Sequence, residues 1–473
     1  MIRTIAQKEF TSALRDKRIW LLSAIVFVLL LVAVTGNLSS HLLLAEERAS
    51  AQHHADEDFK SQPDRHPHRM AHYGSFALRP SSPLSLLDKG LDSYTGTMIF
   101  LEAHQQNSAN FSQVQQSSSL IRFGEMTVAF VLQWLIPLLI IFLTFNAFTQ
   151  EREEGTLKVL LSQGVTMTQI AKGKILGYGK ATIVIVLPSV LLAGSFVSLS
   201  SNMHWTPDLL LRLLVFVVAY FLYFFIFLTG SVFISASTTY SRTALVSLLA
   251  IWIFGCVILP KGLANLGSNL YQAPNKATMD AAVHQEAMQA MNGHDPLDQK
   301  TVAFKKQLLA KFKVDSVSQL PFNIDGVVMA KGESISSKAY QQHFETLVAT
   351  YKAQNSLSVW AGFIDPFLAI KYLSMGMAGT DYAHFVHFQN AAERYRYGLA
   401  QYLNNLQATK MNYKDKETRL SGDYWKDFPA FNYQLPSAGW AMAQQLISLA
   451  ALLWWTALVY FSTTLLLNRR SIN

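Results

Sequence analysis

Six charge-poor apolar stretches interrupt the polar pattern of this chain, at 19–38, 126–148, 181–199, 209–233, 243–260 and 440–467. Arg212 is the one charged residue inside them. A hydrocarbon core about 30 Å thick is crossed by roughly 17–25 helical residues. A helix of a globular protein keeps a polar face, which these stretches lack. The pattern predicts a mainly α, polytopic membrane protein with six transmembrane helices. The stretches divide the rest of the chain into an N-terminal piece (1–18), a segment at 39–125, a hairpin at 149–180, a large segment at 261–439 and a tail at 468–473.

Within the N-terminal piece Ile2, Ile5, Ala6, Phe10, Ala13 and Leu14 share one helical face, with Arg3, Lys8, Thr11 and Arg15 elsewhere. That spacing predicts a helix lying in the membrane interface, followed by an uncleaved first span. Lys and Arg in short loops set orientation, whereas long loops cross regardless of charge. Arg15, Lys17, Arg18, Arg152, Lys158, Lys172, Lys174, Lys180, Arg242, Arg469 and Arg470 all fall on one side, and the short opposite loop 200–208 has no Lys or Arg. Both termini are therefore expected in the cytoplasm, with 39–125 and 261–439 outside. The second outer segment reads as mostly helical, because Ala383, Val386, Phe388, Ala391, Tyr395, Leu399, Tyr402, Leu403 and Leu406 recur near a helical period. The first is more polar, and 46–83 is expected to be partly disordered.

The net charge of +8 changes little, because the basic residues are dispersed and do not predict nucleic-acid binding. Cys256 is the only cysteine and lies in the fifth span, so no intramolecular disulfide can form.

The hairpin after the second span carries Glu151-Arg152-Glu153-Glu154-Gly155-Thr156-Leu157, with Leu160 and Leu161 following. The leucines give a narrow apolar edge, Glu154 and Lys158 form an i,i+4 pair, and Gly155 lets the chain bend. This motif, with the six-span layout and Gly173-Lys174 on the return helix, resembles permease subunits of ABC transporters of the type-2 exporter class. It departs from that pattern at Ser162-Gln163-Gly164, where many members have a proline. The resemblance implies that Glu151, Glu153, Glu154, Gly155, Thr156, Leu157, Leu160 and Leu161 couple the chain to a separate ABC ATP-binding subunit. A second stretch, from Asp365-Pro366-Phe367 through Gly379-Thr380-Asp381 to His384, Phe388, Glu393 and Arg396, resembles a subgroup with large extracytoplasmic inserts. That subgroup is related to the permeases of nitrous-oxide-reductase maturation and gliding-motility systems. The resemblance further implies a bacterial inner membrane, a second permease chain (same or paralogous) and a periplasmic partner.

No G-x-x-x-x-G-K-[ST] phosphate cradle is present: Gly173-Lys174 precedes Ile175, and Thr168 stands where the first glycine belongs. ATP and Mg²⁺ are thus expected only in the partner ATPase, with no cofactor bound by this chain. An ion-driven carrier is disfavoured, since Arg212 lies near a span end and is expected to snorkel outward. Gln133, Thr144, Asn146, Gln444, Gln445 and Thr456 are expected to bond between helices rather than line a path. His66, His68 and His72, with Asp56, Glu57, Asp58 and Asp64 nearby, have a spacing that suits zinc or copper. A solvated histidine-rich loop is the reading preferred there. No catalytic constellation is legible, so no catalytic residue and no enzymatic activity are predicted. The competing reading is a membrane-anchored scaffold or sensor whose outer domain binds a ligand without transport.

Overall fold

The computed structural model describes residues 1–110, 126–200, 204–291, 295, 297–413 and 418–470. In chain order, α1 (Ile2–Arg15) meets α2 (Lys17–Lys60) at a sharp elbow on Asp16. Then come α3 (Pro67–Tyr73), β1 (Ser75–Leu78), β2 (Met98–Leu101) and α4 (128–144). Next are α5 (Thr149–Glu153), α6 (Thr156–Ser162), α7 (Met167–Ser200), α8 (Pro207–Ser237) and α9 (Ser241–Leu270). The last group is α10 (Lys276–Ala290), α11 (Gln299–Phe312), α12 (Ile324–Trp360), α13 (Pro366–Ala378), α14 (Tyr382–Lys410), α15 (Ala438–Gln444) and α16 (Leu446–Arg470). Among the described residues six helices are long and apolar enough to cross a membrane, namely α2, the helix that includes α4, α7, α8, α9 and α16. The chain is a mainly α polytopic membrane protein.

Proline shapes two of these spans. Pro137 and Pro260 lack an N–H and crowd the carbonyl four residues back. In both cases the preceding turn widens into a π-turn, Val131–Leu135 before Pro137 and Phe254–Ile258 before Pro260.

The helices outlast the hydropathy that marks them. No Gly or Pro occurs between Leu38 and Pro63, so nothing ends α2 where its apolar run ends, and it continues to Lys60. At 1.5 Å per residue its 44 residues reach about 66 Å, over twice a hydrocarbon core. The expected disorder over 46–83 is thereby overturned, since α2, α3 and β1 occupy that stretch. The far half of α2 joins a second layer. There β1 and β2 pair antiparallel, Ser75 opposite Leu101. Phe59, Met70, Ala71 and Ala103 pack on Leu399, Leu403 and Trp425, while Ala77, Ile99 and Leu101 pack on Phe388 and Phe431. The two long segments are thus one body at one end of the bundle, the domain end; the hairpin occupies the other.

The large segment does not stay outside the bundle. Phe367, Leu368, Ala369, Ile370, Leu373 and Met377 of α13 are buried, four of them in the same core as the spans, against α8 and α16. Thirteen residues make about 20 Å of helix, too short to cross. Its N-cap, Asp365, lies at Gly255, midway along α9: a Cβ added there would be 3.0 Å from Asp365 Oδ1. Its C-terminal end meets Arg212, near the start of α8. The chain therefore enters the bundle at the end of α12, turns at Ala361–Phe363 and returns through α13. This corrects the expectation that 261–439 lies wholly outside.

Arg212 does not snorkel. It is 4% exposed and donates to Asp208 Oδ2 (2.9 Å), Met377 O (3.2 Å) and Pro436 O (2.5 Å), clamping α8 to the end of α13 and the approach to α15. The expected last span, 440–467, is broken at Gln445, whose Nε2 donates to Asp381 Oδ2 (2.7 Å). The expected tail 468–473 is helical to Arg470, and its last three residues lie outside the described set, as do 111–125 of the first segment.

Candidate functional site

The hairpin connects two spans through α5, a bend at Gly155 and the short α6. Gly155 adopts the left-handed conformation (φ +76°) with open space around it, as does Gly164 at the far turn (φ +79°). Both positions suit glycine because a Cβ is disfavoured at that φ. At the base, α5 is tied to its neighbours by side chains. Arg152 donates to Thr238 O and to Ala236 O (3.1 Å), capping the open C-terminus of α8. Glu153 accepts from Ser241 N (2.8 Å) and Ser241 Oγ (3.0 Å), closing the N-terminus of α9. Thr156 Oγ1 donates to Glu151 O (3.2 Å) across the bend.

Glu151 reaches the other way, into a buried cluster. Lys174 Nζ, 2% exposed as a side chain, lies 2.9 Å from Glu9 Oε1 and 3.0 Å from Glu151 Oε1. Lys8 Nζ adds contacts of 3.1 Å to Glu151 and 3.3 Å to Glu9. Burial alone would raise the Glu9 carboxyl. Lys174, a hydrogen bond from Tyr178, and Lys8 outweigh it and hold Glu9 below the usual carboxylate range. The cluster forms because α1 lies tightly on α7. Gly173 and Gly177 present bare backbone, where a Cβ would come within 2.7 Å of Ile5 Cβ and 2.6 Å of Ala6 O. A cleft of about 940 Å³ separates α1 and the hairpin, lined by Glu9, Asp16, Glu151, Glu154, Val159 and Lys174.

The expected coupling residues therefore divide. Glu151 turns inward, whereas Glu153 stays exposed and braces the N-terminus of α9. Leu157 is 6% exposed and belongs to the bundle core, with Leu160 half-buried against it. Glu154, Gly155, Thr156 and Leu161 face out, joined by Val159, which is 55% exposed. Sequence reasoning missed Val159, Lys174 and Glu9. Glu9 had a signal, since it falls on the same helical face as Ile2, Ile5, Ala6 and Ala13, where a solvated acid would not.

Of the polar side chains expected to bond between helices, Gln133 and Gln445 do so, whereas Thr144, Asn146 and Thr456 bond within their own helices. Gln133 Nε2 donates to Tyr220 Oη (2.9 Å), Tyr223 Oη to Gln133 O (2.9 Å), and Ser374 Oγ links Tyr220 (3.0 Å) to Asp88 (2.5 Å). Thr144 and Thr456 bond back to carbonyls of their own helices.

In the second layer Arg396 grips Glu393 with Nε (2.7 Å) and Nη2 (2.8 Å), and Glu333 with Nη1 (2.6 Å). Glu333, 0% exposed, accepts from both His104 N and His104 Nδ1 at 2.9 Å. Burial would raise this carboxyl, but His104 and Arg396 hold it at about 2. The histidines do not assemble as their spacing suggested. His66 Nδ1 accepts from His68 N (3.1 Å) and caps α3. Asp64 accepts from Gly422 N (2.9 Å) and Asp56 from Gln52 (3.2 Å), so these acids are engaged elsewhere. His68 and His72 stand one turn apart on α3, and the third ring beside them is His104, beyond β2.

Residues 276–434 match the family model described as Domain of unknown function (DUF3526). The match covers α10 to α14 and includes both the Arg396 network and α13. No curated protein matches the chain.

Proposed function

We propose that this chain is the transmembrane permease subunit of an ATP-driven ABC-type exporter or mechanotransmission complex, in a bacterial inner membrane with both termini cytoplasmic. A separate ATP-binding subunit, carrying ATP and Mg²⁺, docks on the hairpin, and a second permease chain completes the pair. The observation that carries this reading is the contrast within the hairpin. Its tip, from Val159 to Gly164, is largely exposed. Its base is tied by Arg152, Glu153 and Glu151 to α8, α9, α7 and α1. A force applied to the tip is thereby delivered to four helices, which is what a coupling element must do if nucleotide is to bias two states. The solvated apolar pair Val159 and Leu161 suits a groove on a soluble partner. Leu157 and Leu160 serve to seat the hairpin instead.

The test is retention of ATP hydrolysis. The full chain purified from native membranes should carry an ATPase activity that Val159→Asp with Leu161→Asp removes, while the variant's own yield and thermal transition are unchanged. Equal ATPase retention in the variant, or none with the unaltered chain, would overturn the proposal. So would labelling of Gln163→Cys, in a Cys256→Ser background, by an impermeant maleimide added from the periplasmic side.

A further inference from the structure

We propose that His68, His72 and His104 form a binding site for a single zinc-class divalent cation, tying α3 to the turn after β2. Three imidazoles and no thiolate make a nitrogen-only donor set, which suits Zn²⁺ and leaves a fourth position open. The inference is independent of the hairpin and of any transport role.

The geometry is specific. His68 and His72 lie at i and i+4 on one face of α3, so their rings meet edge to face, with centroids 4.7 Å apart and planes at 87°. The His104 ring lies 5.8 Å from that of His68 and 5.2 Å from that of His72. One nitrogen from each ring falls within 4.8 Å of the other two. Two nitrogens on a tetrahedral zinc, each at about 2.1 Å, lie about 3.4 Å apart. Closure therefore needs shifts of up to about 1.4 Å, which rotation of the exposed His72 ring and adjustment of the other two supply.

His104 is built for the role. It is one of two non-glycine residues with positive φ among the described residues, at +66°. Glu333 Oε2 holds both its backbone N–H and its Nδ1. A carboxylate on Nδ1 fixes the tautomer and directs the Nε2 lone pair away from itself, the arrangement of a carboxylate–histidine–metal relay. Arg396 in turn fixes Glu333. The capping role of His66 explains why the sequence spacing alone misidentifies the third ligand.

The test uses the full chain, purified without a polyhistidine tag, stripped with chelator and titrated with ZnCl₂ against a chromophoric competitor. One zinc per chain should bind, and Co²⁺ should give the intense visible bands of a four-coordinate site. His72→Ala, which removes an exposed ring, and His104→Asn should each abolish stoichiometric uptake. Glu333→Gln should weaken it about 10–100-fold as a positioning residue. The exposed cluster His53, His54 and Glu57 is the internal control, and His53→Ala with His54→Ala should leave uptake unchanged. Uptake that survives His72→Ala, or that vanishes only in the His53/His54 variant, would overturn the proposal. Protease mapping of the metal-free chain separates failure to fold from failure to bind, because His72→Ala should leave the digestion pattern of the stripped chain unaltered.

Discussion

At the scale of single residues, burial decides what each charge does. Glu151 and Glu153 belong to one acidic run when read along the chain, yet only Glu151 is buried. In the fold they meet Lys174 and the N-terminus of α9. No spacing rule links positions 9, 151 and 174, so this cluster was illegible beyond the misplaced acid on α1. Taking one partner from a buried ion pair strands the other, at a cost of about 3–5 kcal/mol. Lys174→Ala should lower unfolding stability by about 3 kcal/mol, read as a denaturation midpoint in detergent. The same cluster sets a pH dependence. A carboxyl held below its ordinary 4.5 contributes fully above that value. The contribution is lost as pH falls through the lowered value in the folded chain. Lys8, Lys174, Tyr178 and Glu151 are the groups facing Glu9. Proteolysis of the hairpin should therefore accelerate as pH drops below about 4.5, and Lys174→Ala should flatten that response. A profile indifferent to Lys174 would remove the cluster as its cause.

At the scale of elements, hydropathy found the spans but not their ends. Apolar runs mark where a helix meets lipid, whereas Gly and Pro mark where a helix stops, and in α2 the two signals lie over twenty residues apart. α13 escaped for the opposite reason. It is apolar apart from Lys371 and Ser374 but too short for a crossing, and such a run is indistinguishable in sequence from a buried helix of a soluble domain. Leu157 illustrates a third limit, because a one-sided apolar edge does not say whether it faces the bundle or a partner. The depth of α13 can be measured. Ile364, just before it, is 70% exposed, and Leu297 in the second layer is 85% exposed. In a Cys256→Ser background, a nitroxide at Ile364→Cys should collide with oxygen more than with a soluble nickel chelate, and one at Leu297→Cys should show the reverse. Chelate dominance at position 364 would place the entry turn in water.

At the scale of the molecule, the family-matched segment 276–434 is not self-contained. Phe388 and Ala392 pack on Ala77, Ile99 and Leu101, and Leu399 and Leu403 on Phe59, Met70 and Ala71, all from the first segment. The buried face of α13 belongs to the bundle. Expressed alone, 276–434 should expose these surfaces, bind a hydrophobic dye and lack a cooperative thermal transition. A monodisperse, cooperatively melting fragment would contradict this. The six-span layout and the mainly helical second layer were legible in the chain, because both rest on local periodicity. The union of its two long segments was not, because it depends on contacts between residues some 300 positions apart.

One element reaches both ends. α2 leaves the elbow at Asp16, where Trp20 Nε1 is fastened to Leu14 O (2.7 Å), and runs unbroken to Lys60 beside the buried ring of Phe59. A stiff rod amplifies with distance from its pivot. Over about 66 Å, a swing of about 5° at the foot moves the tip by roughly 6 Å. Small tilts of α2 at its foot thus become, without any hinge along it, strides the size of a helix turn at the end that packs on β1.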